Sequence, residues 1–133
     1  MKYMHSTEGL TEQMLNGFFV DWPNPPNCAT HLKLLKRSYK AIVAVNEEED
    51  QVVGFITAIS DGILSAYIPL LEVLPEYKQQ GIGKELLHRM MKELDGIYMI
   101  DLMCDAELQS FYEKVGMAKS NGMILRNREN QSG

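Results

Sequence analysis

Residues 78–84, KQQGIGK, combine two glycines with amide and lysine side chains where a helix is expected to begin. Glycine costs backbone entropy, so two of them here indicate a turn with positive φ or a ligand close to the backbone. The first turn of a helix presents unpaired N–H groups and the positive end of the helix dipole, which favour an anion. The pattern therefore predicts an anion site over the amides of Gln79 to Lys84.

Two common phosphate-binding motifs do not fit this stretch. A P-loop requires Ser or Thr after its Gly-Lys pair, whereas Gly83 and Lys84 are followed by Glu85. The dinucleotide fingerprint requires a third glycine, and that position holds Leu86. What remains is K-x-x-G-x-G, which begins at Lys78. Taken alone, this pattern is as compatible with a tight turn as with an anion site.

A second block gives the pattern a context. Residues 105–117, DAELQSFYEKVGM, follow the glycine loop after one helix and one strand. Together the two blocks resemble the Q/R-x-x-G-x-G/A loop and the N-x-x-A-x-x-F-Y-x-K-x-G-F helix of the GNAT acetyltransferase superfamily. The likeness extends over about residues 40–127. It implies the acyl-CoA N-acyltransferase (GNAT) fold, of the α/β class (α+β in some schemes), with a mixed, mostly antiparallel central sheet.

The resemblance implies acetyl-CoA as the cofactor, with its pyrophosphate over the loop and its pantetheine arm along the preceding strand. Two positions depart from the family pattern. Lys78 replaces Gln or Arg but keeps a donor, and Asp105 replaces Asn and is expected to cap the following helix. The residues expected to bind the cofactor are Leu71, Glu72, Val73, Lys78, Gln79, Gln80, Gly81, Ile82, Gly83, Lys84, Asp105 and Tyr112.

The reaction implied is direct attack of a neutral amine on the acetyl thioester, assisted by a backbone N–H near Leu71 or Val73. Tyr112 matches the family's tyrosine and is the expected general acid, because a phenol stays protonated at pH 7. The alternative is a tyrosine that only packs its helix on the sheet. Cys104 is a formal candidate for an acyl-carrying nucleophile, but a buried inert thiol is the favoured interpretation.

The general base is less well defined by the sequence. Tyr67 occupies the position where some GNAT enzymes place Glu or His, so a water relay through Tyr67 is expected. Glu72 is the nearest carboxylate, but strict strand alternation turns it away from Tyr67. Asp21 and His31 are outside candidates. The acceptor is expected to contact Asp21, Trp22 and His31, with Trp22 acting either as an aromatic wall or as an anchor for its loop.

Pro69 lies inside an apolar run that otherwise resembles a central strand, where a missing N–H would break the ladder. In the GNAT fold, strands four and five diverge beside a bulge in strand four, and a proline at such a bulge would be tolerated. An ordinary edge-strand proline is the equally weighted alternative.

Hydrophobic periodicity predicts the order β-α-α-β-β-β-α-β-α-β with helices on both faces of the sheet. The expected strands are 2–6, 40–45, 51–60, 63–73, a buried strand 97–104, and a last strand or hairpin within 117–127. The expected helices cover 7–19, with Leu10, Met14, Leu15 and Phe18 on one face, 28–38, 83–94, and 107–116 ended by Gly116. A rigid proline loop is expected at 20–27 and a frayed tail from about 128.

Length and composition fit one globular domain over residues 1–133, with 45% hydrophobic and 23% charged residues. The net charge of −5 argues against nucleic-acid binding, although residues 78–93 carry a local excess of positive charge. No apolar stretch is long enough to span a membrane, and the histidines and two cysteines lack metal-ligand spacing. A cytoplasmic protein with reduced cysteines is expected, and family analogy makes a homodimer a candidate assembly.

These features support an N-acetyltransferase that moves an acetyl group from acetyl-CoA to a primary amine of a small molecule or peptide. A second hypothesis keeps the fold but assigns a non-catalytic acyl-CoA-binding or sensing module. Turnover with an amine panel distinguishes the two.

Overall fold

The computed structural model describes every residue from Met1 to Gly133 and contains one six-stranded sheet and three helices. The strands are β1 (Lys2–Met4), β2 (Lys40–Asn46), β3 (Gln51–Ser60), β4 (Ser65–Tyr67), β5 (Leu71–Val73) and β6 (Met99–Asp101). The helices are α1 (Cys28–Arg37), α2 (Ile82–Glu93) and α3 (Gln109–Glu113). Short 3₁₀ turns occupy Glu12–Leu15, Pro75–Tyr77, Ala106–Leu108 and Arg128–Asn130.

The sheet is mixed and mostly antiparallel, as predicted. Its order is β1-β2-β3-β4-β6, and β5 pairs with β3 beside β4. Every pair is antiparallel except β4 with β6, which run parallel. The helix α2 supplies the crossover that a parallel pair requires.

Helices cover both faces of the sheet, which confirms that prediction. On one face, here called the α2 face, Ile42 and Ala44 of β2 pack with Leu86 and Met90 of α2. On the other, the α1 face, the intervening β2 residues pack with α1 and the Glu12–Leu15 turn. Because β2 and β3 are covered on both sides, their sequences are almost continuously apolar.

The run 63–73, expected to form one strand, is divided into β4 and β5 by a bulge. Ile56 of β3 pairs with Leu71 of β5, and Ile59 of β3 pairs with Tyr67 of β4. The segment from Tyr67 to Leu71 is therefore one residue longer than the opposite segment of β3. Pro69 lies inside this bulge, where a missing N–H does not interrupt a ladder. The bulge interpretation of Pro69 is therefore confirmed.

The helix predicted for 7–19 is wrong in extent. Only Glu12–Leu15 are helical, as a 3₁₀ turn, and Asn16 is extended after it. Gly17 follows with φ +95°, a conformation that ends the turn. Met14 and Leu15 are nevertheless buried, as the apolar pattern predicted. Tertiary packing, not helix length, satisfies these side chains.

The buried strand predicted for 97–104 is also wrong, in its extent and in its burial. Strand β6 has three residues with alternating exposure and forms an edge of the sheet. The strand or hairpin predicted within 117–127 is absent, because these residues pair with no strand. Without that neighbour, β6 has a free edge.

The helix predicted for 107–116 is present in shorter form as the Ala106–Leu108 turn followed by α3. Gly116 follows it with φ +96°, the expected left-handed conformation. The tail expected to fray from residue 128 contains the Arg128–Asn130 turn, and the amide of Asn24 donates to Gln131 Oε1 at 2.7 Å. None of the helices combines the length and apolar character needed to cross a bilayer.

Candidate active site

The loop before α2 presents a row of unpaired backbone amides. Gly81 occupies the N-cap with φ +82°, in the left-handed region that favours glycine, and Gln79 is also left-handed at φ +63°. Counted from Gln79, the first backbone amide that has a backbone acceptor is that of Glu85, which donates to Gly81 O at 3.0 Å. The amides from Gln79 to Lys84 donate to no protein group. This geometry suits a polyanion.

Two lysines are the free cations of this loop. Lys78 and Lys84 form no ion pair. Arg89, which also contributes to the positive excess of 78–93, is occupied elsewhere. Its Nε donates to Glu85 Oε2 at 2.7 Å, and its guanidinium lies 4.5 Å from the centroid of the Tyr3 ring. The positive potential available to an anion therefore comes from the two lysines and the helix terminus.

Strands β4 and β6 part immediately beside this loop. They are paired as far as Tyr67 and Asp101, and the amide of Ile68 donates to Asp101 O at 3.0 Å. Beyond that point β5 pairs only with β3, so its other edge is free. A Cβ built on Gly83 would lie 3.6 Å from Val73 Cγ2 and 3.9 Å from Phe111 Cζ. The glycine loop, β5 and α3 thus converge on one gap.

The register of β5 decides which residues face the gap. The amide of Leu74 donates to Val53 O at 2.8 Å, and that of Thr57 donates to Leu70 O at 3.1 Å. In an antiparallel ladder, hydrogen-bonding residues alternate with residues whose backbone groups point away. Leu71 and Val73 therefore turn their N–H and C=O groups toward the free edge.

Glu72 is turned away from that edge, contrary to its predicted part in the cofactor site. Its backbone pairs with β3, opposite Phe55. Its carboxylate accepts the amides of Phe19 at 2.9 Å and Val20 at 3.3 Å. Glu72 therefore holds the loop that precedes α1 rather than lining the gap. The prediction that it faces away from Tyr67 is wrong too, because the bulge adds one residue and puts both side chains on the α1 face.

Tyr112 lies on α3 against the α2-face core and is half-buried. Burial raises the pKa of its phenol above the ordinary value of 10.0, and the neighbouring Cys104 thiol adds to the effect. The phenol is therefore protonated at pH 7, the state a general acid needs. Asp105 occupies the N-cap position of the Ala106–Leu108 turn, but its carboxylate makes no capping bond, contrary to prediction.

Tyr67 and Asp101 are neighbours across the parallel pair. Ala66 and Ile100, which precede them, pack on the α2 face, so both of these side chains lie on the α1 face. With Cys104 and Tyr112 they line a cavity of about 810 Å³. Asp101 was not among the residues predicted from the sequence, although a carboxylate inside the apolar run IYMIDLMC was an available signal.

The loop 20–27, in which Asp21 and Trp22 were expected to contact the acceptor, and the residue before it contain two left-handed residues other than glycine. Phe19 has φ +61° and Asp21 has φ +67°, and such conformations persist only when the surroundings fix them. The Glu72 carboxylate and the Trp22 amide, which donates to Phe19 O at 3.2 Å, provide that restraint. The Trp22 ring packs edge-on against Phe19 with centroids 4.9 Å apart and stays partly exposed. Asp21 itself is exposed.

His31 is separated from that surface. Its side chain is 1% exposed, its ring packs against Phe18, Phe19 and Phe55, and neither ring nitrogen has a hydrogen-bond partner. Burial lowers its pKa from 6.5 to about 4. His31 lines a smaller cavity of about 250 Å³ under the loop. The structure therefore does not bring His31 together with Tyr67 and Tyr112, which line the larger cavity. No three His, Cys, Asp or Glu side chains converge to hold a metal ion.

Comparison with known families gives an independent result. The family profile described as "Acetyltransferase (GNAT) domain" matches residues 38–116. This range contains β2 to α3, and hence the loop, the gap and Tyr112.

Individual relatives agree with that match. The uncharacterized N-acetyltransferase ycf52 of Porphyra purpurea is 31% identical, over 88% of this chain and 70% of its own length. The chloroplastic GCN5-related N-acetyltransferase 1 of Arabidopsis thaliana is 27% identical, over 95% of this chain and 68% of its own. A crystal structure from Deinococcus radiodurans R1, provisionally named an acetyltransferase, superposes with a TM-score of 0.96 at 43% identity. That superposition covers 99% of this chain and 92% of the other.

Proposed function

Since the chain belongs to the GNAT acetyltransferase family, we propose that it transfers an acetyl group from acetyl-CoA to the primary amine of a small molecule or peptide by direct attack. The observation that carries the proposal is the row of free amides from Gln79 to Lys84, which opens beside the free edge of β5. A diphosphate fits the first feature, and an extended, amide-rich pantetheine arm fits the second.

The residues that would hold the cofactor fall into two groups. The amides of Gln79, Gln80, Gly81, Ile82, Gly83 and Lys84, with the side chains of Lys78 and Lys84, would cradle the pyrophosphate. The outward backbone groups of Leu71 and Val73 would pair with the pantetheine, and Asp105 and Tyr112 would border its far side. When bound, acetyl-CoA supplies an acetyl group activated as a thioester.

Three side-chain and backbone roles follow for the chemistry. An outward N–H of Leu71 or Val73 would donate to the thioester oxygen. Tyr112 would supply a proton to the sulfur of the leaving thiol, which its raised pKa permits because the phenol is protonated at neutral pH. Tyr67 and Asp101 receive the proton of the attacking amine, with Asp101 as the carboxylate and the Tyr67 hydroxyl as the relay.

The acceptor would reach this gap from the α1 face. Trp22 offers a partly exposed ring on a restrained loop, and Asp21 next to it offers a carboxylate to a cationic acceptor. His31 is buried and would contribute only by lining the smaller cavity. Neither of its ring nitrogens has a hydrogen-bond partner in the protein. The cytoplasmic location stays a prediction, and the Arabidopsis relative named above is chloroplastic.

The second candidate is a module that binds acyl-CoA without turnover. The observation that favours it is that the Glu72 carboxylate, next to the gap, is occupied by two loop amides and is not free as a base. Thiol release from acetyl-CoA, measured with a panel of primary amines, decides between the two. Amine-dependent release supports the enzyme, whereas cofactor binding without release on any amine supports the module.

A further inference from the structure

Residues 19–22, here called the acceptor turn, are tied to the sheet by one side chain. The Glu72 carboxylate on β5 accepts the amide of Phe19 at 2.9 Å and that of Val20 at 3.3 Å. The other hydrogen bond of the turn runs from the Trp22 amide to Phe19 O, at 3.2 Å. Glu72 therefore supplies two of the three hydrogen bonds that the backbone of the acceptor turn makes.

The acceptor turn needs this restraint because its backbone is strained. Phe19 (φ +61°) and Asp21 (φ +67°) lie in the left-handed region, which costs conformational energy for residues with a side chain. The Phe19 side chain is held by packing, since it is 4% exposed and belongs to the α1-face core. The rest of the turn is exposed, so the hydrogen bonds from Glu72 decide where it lies.

Glu72 and Tyr67 lie on the same face of the sheet at a defined separation. They pair with Phe55 and Ile59 of β3, which are four residues apart, so about 13 Å of sheet lies between them. A short amine bound beside Tyr67 does not span this separation, whereas an extended amine does. The acceptor turn is therefore placed to contact the far end of an extended acceptor.

The surface along this separation suits an apolar chain with a positive charge at each end. Ile59, on the sheet beside Tyr67, is 58% exposed, and Val20 in the turn is 44% exposed. Exposed carboxylates lie at both ends, with Asp101 next to Tyr67 and Asp21 in the turn. Residues 6–30 contain no Lys or Arg, so no cation near the turn opposes a second ammonium group.

We propose that the acceptor is an extended primary amine and that Glu72 is the positioning residue for its far end. Glu72 holds the acceptor turn, which receives that end, while the amino group reacts at Tyr67 and Asp101. The residues on either side of Glu72 would carry the pantetheine, so the same strand sets the distance from cofactor to turn. This inference rests on the proposed function and names the class of its acceptor.

Glu72→Gln tests the positioning role in kinetics. The glutamine oxygen accepts one amide of the turn, but its NH₂ group has no lone pair for the other. The extended probe is decanediamine, which carries an amino group at each end of a ten-carbon chain. We expect its KM to rise by about tenfold or more in E72Q with kcat unchanged, because only uniform binding is lost.

Three controls accompany this measurement. The KM of ethylamine, which is too short to contact the acceptor turn, should stay the same in E72Q. The Kd of acetyl-CoA should also stay the same, because the Glu72 side chain faces away from the cofactor edge. Glu48→Gln, at an exposed acid between β2 and β3, should leave every constant unchanged. An unchanged KM for decanediamine in E72Q overturns the inference.

Hydrogen exchange resolved by residue examines the turn without turnover. In E72Q the amides of Phe19 and Val20 should exchange at least about tenfold faster than in the wild type. Unchanged exchange overturns the inference. A wild-type protein that releases no thiol with any amine contradicts the proposed function instead, and exchange together with calorimetric binding of decanediamine then decides the inference. If E72Q does not fold, Glu72→Asp, whose shorter side chain keeps the charge, takes its place with the same expected results.

Discussion

Tyr67 and Asp101 stand opposite each other at the last paired position of β4 and β6, immediately before the two strands part. Both side chains lie on the α1 face, where the restrained loop of Phe19 and Asp21 also lies. This register puts a carboxylate beside Tyr67, which the sequence alone did not identify. In the proposed mechanism the proton relay belongs to this pair, because a neutral tyrosine is a poor base by itself.

Asp101→Asn removes the carboxylate of that pair and keeps its size. We expect kcat to fall by about 10²-fold, as for loss of a positioned general base, with little change in acetyl-CoA affinity. Asp95→Asn, an exposed acid just after α2, is the matched control. Unchanged kcat in D101N would exclude the assignment.

Tyr112→Phe removes only the proposed acid's hydroxyl. We expect kcat to fall by about 10²-fold while the acetyl-CoA Kd stays the same. In the wild type, the raised pKa of Tyr112 should place the alkaline limb of kcat above pH 10, because the acid is lost only when the phenol ionises. Tyr98→Phe alters an exposed tyrosine and should leave kcat unchanged. A Y112F enzyme with full kcat would limit Tyr112 to packing.

Gly81→Ala tests the left-handed turn of the amide cradle. Both Gly81 (φ +82°) and Gly96 (φ +94°) are left-handed, and a Cβ at either meets no atom within 4 Å. Alanine at either position should therefore lower the free energy of unfolding by about 1–2 kcal/mol. Only G81A should weaken acetyl-CoA binding, by about tenfold or more, in a calorimetric titration. Equal affinities in G81A and G96A would show that the turn does not shape the anion site.

His31 makes the stability of the fold depend on pH. Its pKa is about 4 in the folded state and 6.5 in the unfolded chain, because burial disfavours the imidazolium. The contribution of neutral His31 to the free energy of unfolding is therefore complete above pH 6.5 and is lost as the pH falls toward 4, since the unfolded chain takes up the proton first. This contribution is up to roughly 3 kcal/mol.

Urea titrations between pH 7 and 4 measure this effect. His31→Phe should flatten the decline, and His88→Gln, at an exposed position on α2, should leave it intact. A decline of the same steepness in H31F would assign the acid sensitivity to other groups.

Periodicity and motif spacing were sufficient for the elements that define the cofactor loop. The helix after Gly81 and the hairpin of β2 and β3 were predicted, since each rests on a local pattern that tertiary packing reinforces. The bulge at Pro69 was one of two equally weighted alternatives, and it came from the family resemblance rather than from a local pattern. The free amides from Gln79 to Lys84 likewise follow from where α2 begins.

The features that failed depend on non-local pairing. The bulge changes the alternation by one residue, so Glu72 and Tyr67 share a face, and no local pattern specifies that count. Asp101 was missed because its partner belongs to another strand. The strand or hairpin expected within 117–127 has a suitable composition, but whether it pairs depends on an edge elsewhere in the sheet.

The most direct test of the account is a calorimetric titration that compares acetyl-CoA with S-acetylpantetheine, which carries the thioester but no diphosphate. We predict one acetyl-CoA site per chain and at least tenfold weaker binding of the shorter thioester, because the amides from Gln79 to Lys84 hold the diphosphate. Equal affinities for the two compounds, or no heat with acetyl-CoA, would contradict the account.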